Sequence, residues 1–165
     1  MTRTRLSAQK SLVLGLCGLA AFSGSVLASD WSYMDDRSSP QKLVESYYFA
    51  IGNRNYAQAY GYFKPDTAPQ NFEAWSSGYA NTKSVNVRFG STEPDPGAGQ
   101  IFWALPVVIE AEQTDGTNLV YTGCYKIHLT NPGMQTDPPY QPMAIESASL
   151  KETKTPFKDA KPGNC

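Results

Sequence analysis

The sequence predicts an α+β fold, with N-terminal helices packed in the concave face of a curved antiparallel sheet of about four strands. Three observations carry this. Apolar residues recur at helical spacing up to residue 79 and at a spacing of two from residue 84 onward. Residues 101–130 read as two long alternating strands around Asp115-Gly116, a pair that accepts the positive φ of a hairpin turn. Helices first and strands afterwards imply α+β rather than alternating α/β.

The first 28 residues read as a secretory signal peptide. Arg3, Arg5 and Lys10 precede an uncharged stretch, and Val26-Leu27-Ala28 offers a cleavage site. The apolar run is near the lower limit of a membrane span, so an uncleaved anchor is the alternative. Leu16 before Cys17 is too bulky for a lipid-modified cysteine. Cleavage after Ala28 leaves 137 of the 165 residues, enough for one domain. The leader holds three of the 14 basic residues, so the remainder carries 11 against 15 acidic ones. With that charge and no basic run, nucleic acid and anionic membrane surfaces are excluded as partners. Periplasmic or secreted location follows, with no stable membrane anchoring after cleavage.

Residues 29–39 are polar and predict a flexible lead-in. Ser39-Pro40 then starts a helix, with Ser as N-cap and Pro at the first helical position. Leu43, Val44, Tyr47, Tyr48, Ala50 and Ile51 form its apolar stripe, and Gly52 ends it. Asn55 can cap a second, short helix over residues 56–63, which Pro65 stops. A third, around 72–78, places Phe72, Trp75 and Tyr79 on one side.

Residues 84–92 form the first strand, with Val85, Val87 and Phe89 inward, and residues 93–99 read as a loop. In the hairpin, Ile101, Trp103, Leu105, Val107, Ile109 and Ala111 share one face with Leu119, Tyr121, Tyr125, Ile127 and Leu129. Pro106 removes one ladder donor, which places it at a bulge or where its nitrogen faces no neighbour. A Pro-rich connection over 131–141 leads to a last strand at 142–154, whose imperfect alternation suggests a bulge. The domain therefore spans residues 40–152, with 153–165 as a C-terminal tail.

After cleavage two cysteines remain, Cys124 and Cys165, and in an oxidising compartment two cysteines in one small domain pair. Cys124 sits on the strand face opposite Tyr125, so the bond would hold the tail across the outer face. A free terminal cysteine or an intermolecular bond is the alternative. Two cysteines and one histidine are too few for a zinc site, and no metal or cofactor motif is present.

Two segments carry a family resemblance. Ala50-Ile51-Gly52 through Asn55-Tyr56 and Ala59-Tyr60, followed by Gly78-Tyr79 and Thr82, resemble the opening of secreted bacterial nuclear-transport-factor-2-like proteins. Pro106, Val107, Asp115, Gly116, Gly123 and Tyr125 resemble the hairpin of the same superfamily. The resemblance covers residues 40–152 and implies a cone-shaped α+β fold, with sheet-to-sheet dimers as a common assembly. It implies no one activity, because that fold hosts isomerases, dehydratases, transport proteins and scaffolds. No catalytic residue can be carried over onto this chain.

Candidate sites follow from the residues. Seven aromatics, Tyr47, Tyr48, Trp75, Tyr79, Trp103, Tyr121 and Tyr125, can line an apolar pocket with phenol hydroxyls to orient a ligand. Ordinary packing of helices on a sheet is the plainer reading of the same residues. Phe102, Ala104 and Val108, with Pro106, form an apolar strip on the other face. It either lies under the tail or docks a partner, including a second copy. His128, the one histidine, shares the outward face with Lys126 and Cys124 and reads as a surface or tail-contacting residue. Glu110 and Glu112 read as solvated charges. The expected function is a non-catalytic binding module for a small apolar molecule or an envelope protein. The alternatives are a small isomerase- or lyase-type enzyme using a Tyr and a cone-facing carboxyl, with Glu45, Glu73 and Glu146 to check, and a structural domain without a pocket.

Overall fold

The computed structural model describes residues 32–165. The expected signal peptide over 1–28 and the first three residues of the expected lead-in lie outside the described residues. Among the described residues no helix is long and apolar enough to cross a membrane.

Three helices open the chain: α1 over Pro40–Gly52, α2 over Tyr56–Tyr60 and α3 over Phe72–Ser77. The Ser39 hydroxyl accepts from the Lys42 amide at 3.2 Å, and the Asn71 side chain accepts from the Ala74 amide at 2.8 Å. Each bond satisfies one amide that the first helical turn leaves free. The whole predicted stripe of α1 is buried, whereas α3 buries no residue completely.

Five strands follow: β1 Thr82–Phe89, β2 Asp95–Gly97, β3 Gln100–Gln113, β4 Asn118–Thr130 and β5 Ala144–Thr153. They form one antiparallel sheet in the order β1-β3-β4-β5, with β2 folded back onto the start of β3. The predicted α+β class holds. The sheet has one strand more than expected, because residues 95–97, read as loop, pair with residues 100–102. Asp115-Gly116 makes the turn between β3 and β4: Gly116 takes φ +85° and the Asp115 carboxylate accepts from the Thr117 amide at 2.9 Å. The Pro106 carbonyl accepts from Gly90, directly past the end of β1, so its nitrogen faces the same gap in the ladder.

The expected irregularity in the last strand is a bulge. Lys126 pairs with Ser147 and Ile127 with Ile145, so Glu146 is the extra residue. At the start of β5 the free edge is closed by the chain after α2. Ile145 donates to the Tyr62 carbonyl at 2.8 Å and accepts from the Lys64 amide at 2.9 Å.

The core lies between α1 and the concave sheet face, with Leu43, Ile51, Leu105, Val107, Ile127 and Ile145 at zero exposure. Residues 34–37, expected to be flexible lead-in, are tied to it. The Ser46 hydroxyl bonds both the amide and the carbonyl of Asp36, at 2.9 and 3.2 Å. The Arg37 guanidinium lies 4.4 Å over the Tyr62 ring and donates to the carbonyls of Met143 and Gly61.

The tail crosses the outer face and ends in the Cys124–Cys165 disulfide. Phe157 and Ala160 pack over Val108 and Val120. Arg88 stacks on Phe157 and donates to the carbonyls of Phe157, Lys158 and Ala160. A Cβ on Gly163 would stand 2.6 Å from the Gly123 Cα, so only glycine lets the tail lie this close to β4.

Candidate functional site

Behind α3 the concave face is not filled. A cavity of about 370 Å³ opens there between the helices and the far ends of the strands. Tyr48 of α1, Trp75 of α3 and Tyr79 form its helical side. The sheet contributes Val85, Ile109, Ala111, Leu119, Tyr121 and Leu150, and Thr82 and Gln113 add polar groups. Among the described residues no charged side chain and no histidine lines it.

Two pairs of phenols set its chemistry. The Tyr48 and Tyr125 hydroxyls are 2.5 Å apart, and those of Tyr47 and Tyr79 are 2.7 Å apart. Tyr47 and Tyr125, 1% and 2% exposed, lie behind Tyr48 and Tyr79 and do not line the cavity. Two phenols hold two protons, and the bond between them uses one. Either hydroxyl of each pair can donate, and where the inner phenol does, Tyr48 and Tyr79 each keep a proton for the cavity. Burial, the largest cause, raises the pKa of all four hydroxyls, so they remain protonated donors near neutral pH.

Of the seven aromatics predicted to form the pocket, the cavity gathers Tyr48, Trp75, Tyr79 and Tyr121. Tyr47 and Tyr125 form the supporting layer. Trp103 is not part of it. It shares the face of Ile109, but six residues along an extended strand is about 20 Å, and Trp103 lies at the opposite end, near Phe102, Ala104 and Lys126. Gln113 was missed, although it continues the alternation of Ile109 and Ala111 by one more period. Leu150 was hidden by the bulge, which breaks the alternation of β5.

The carboxyls named for an enzymatic reading do not reach the cavity. Glu45 pairs with Lys42 on the outer side of α1, Glu73 is exposed, and Glu146 lines a neighbouring groove.

On the outer face the apolar strip is largely taken. Val108 is fully buried under the tail, which corrects its expected place on a docking surface. Phe102 packs on His128 with ring centroids 5.0 Å apart, and Ala104 alone of the three stays exposed. His128 is 7% exposed rather than on the surface. Its Nε2 bonds the Gln100 side-chain oxygen, and it sits in a crevice shared with Lys64, Tyr140 and Gln141. Burial, the main cause, lowers its pKa. Glu110 and Glu112 are solvated as expected, Glu112 pairing with Lys83 at 2.5 Å.

No family model and no curated protein matches this chain. Among solved structures, a Novosphingobium aromaticivorans protein provisionally named a scytalone dehydratase matches over 75% of this chain and 88% of its own. The two are 10% identical, with a TM-score of 0.49. At that identity and overlap the likeness assigns this chain neither an activity nor a site residue.

Proposed function

We propose that this protein is a periplasmic or secreted binding module for a small, neutral, apolar molecule that carries a hydrogen-bond acceptor oxygen. The carrying observation is the apolar cavity bordered by the paired phenols Tyr48 and Tyr79, with no carboxylate or imidazole among the described residues of its lining. An anionic ligand would be buried without a counter-charge, which disfavours it. A flat apolar body fits between Trp75 and the aliphatic residues Val85, Ile109 and Leu150. The Cys124–Cys165 bond supports an oxidising compartment.

Calorimetric titration with acetylnaphthalene and with ethylnaphthalene tests this, since the two differ in a carbonyl oxygen. Acetylnaphthalene is expected to bind about tenfold more tightly, as one to two net hydrogen bonds imply. That ratio should fall to about one in the Tyr48→Phe, Tyr79→Phe double variant. Equal binding of the two by the native protein would remove the acceptor from the proposal, and binding of neither would remove the cavity reading.

A further inference from the structure

A second concavity lies on the other side of Trp75 and Tyr79, between α3 and β5. This groove, of about 370 Å³, is lined by Tyr47, Phe63, Trp75, Tyr79 and Tyr125, with Glu146 on its rim. Four of those rings close a circuit. The centroids of Tyr47 and Phe63 are 5.7 Å apart, Phe63 and Trp75 6.1 Å, Trp75 and Tyr79 5.4 Å, and Tyr79 and Tyr47 6.5 Å. Each pair meets edge to face. Phe63, Trp75 and Tyr79 are half-buried and line the groove, and aromatic surface of this kind attracts a cation that sheds water easily.

Glu146 supplies the charge. It is the bulged residue of β5, opposite no residue of β4, and a bulge re-aims the side chain it carries. It makes no ion pair among the described residues. Lys64, on the loop after α2, is engaged by Asp66 at 2.9 Å. Lys126 shares the outer depression with Glu146 without pairing to it, and burial favours the neutral form of His128. An unpaired carboxylate beside a ring of aromatic faces is complementary to an organic cation. One carboxylate with no other ligand-type residue grouped around it does not suit a metal ion, and no metal-type cluster occurs among the described residues.

We propose that the groove between α3 and β5 binds an organic cation of the alkylammonium class, with Phe63, Trp75 and Tyr79 as ring faces and Glu146 as counter-charge. Choline and its neutral carbon isostere, dimethylbutanol, are the probes. Choline is expected to bind about tenfold more tightly than the isostere, the range of one desolvated cation–ring contact. Glu146→Gln should weaken choline about tenfold and leave the isostere unchanged, and Trp75→Leu should weaken choline. The Trp75 indole N–H resonance should shift on titration and that of Trp103 should stay. Equal binding of the two probes, no binding of choline, or a shift confined to Trp103 would each overturn the proposal. Acetylnaphthalene binding should be unchanged in Glu146→Gln, because Glu146 does not line the cavity, so loss of choline binding in that variant alone leaves the cavity reading standing.

Discussion

The two faces of the sheet are finished in opposite ways. On the outer face the chain's own tail seals the apolar residues: Phe157 and Ala160 cover Val108 and Val120, Arg88 holds three tail carbonyls, and Cys165 is bonded to Cys124. On the concave face α1 fills one half of the sheet, while α3 roofs the other half and leaves about 370 Å³ open. Close packing stabilises a face and removes its capacity to bind, because a void large enough for a ligand gives up contacts on every side. The two open concavities meet at Trp75 and Tyr79, which border both the cavity and the aromatic groove.

The comparison breaks most visibly at the disulfide. Replacing both cysteines, Cys124→Ser with Cys165→Ser, should lower unfolding free energy by about 4 kcal/mol for a loop of this length. Acetylnaphthalene binding should persist wherever the double variant is folded. A fall of less than about 1 kcal/mol in urea titration would show that Arg88 and Phe157 hold the tail unaided.

A sharper contrast comes from adding carbon at a tight and at an open position of the sheet. A Cβ on Gly123 would lie 2.0 Å from the Ser149 carbonyl oxygen. Gly123→Ala should therefore destabilise by about 3 kcal/mol, the upper range for overpacking. Ala111→Leu extends into the open cavity instead and should change stability by no more than about 0.5 kcal/mol, yet abolish acetylnaphthalene binding. Similar losses in both variants, read by thermal unfolding, would mean that the cavity is closed in solution.

The smallest expected effect is a pH slope from the outer face. The folded state holds the His128 pKa below its usual value near 6.5. The unfolded chain then binds a proton that the folded chain refuses. Stability from this group is complete above about pH 6.5 and declines as the pH falls from there toward the lowered pKa. Lys64 reinforces the shift, while Glu146 and Asp66 oppose it. His128→Gln should flatten the stability profile in that window, and an unchanged slope would assign it to other groups. The lowered carboxyl pKa values of Asp36, Asp66, Glu112 and Asp115 act at more acid pH.

Much of the fold was legible because its signals are local. Ser39-Pro40, the stripe from Leu43 to Ile51, the Asp115-Gly116 turn and the alternation of residues 101–129 each state their element within a few residues. The tail across Cys124 was legible too, because cysteine parity is a long-range signal. The strand at 95–97 was not, since Asp-Pro-Gly has no strand propensity and pairs only because β3 begins three residues later.

The sequence by itself determined the class of the domain, the helical and strand faces, the disulfide partners and most of the aromatic inventory, because periodicity and residue chemistry express these within one element. Tertiary structure alone decided which aromatics share a cavity. Period-two alternation put Trp103 and Ile109 on one face without recording the distance between them. It also decided which hydroxyls pair, because the phenol pairs join residues 32 and 77 positions apart in the chain. Finally, it set Glu146 beside the aromatic groove: the imperfect alternation of residues 142–154 signalled a bulge without saying which residue is the extra one.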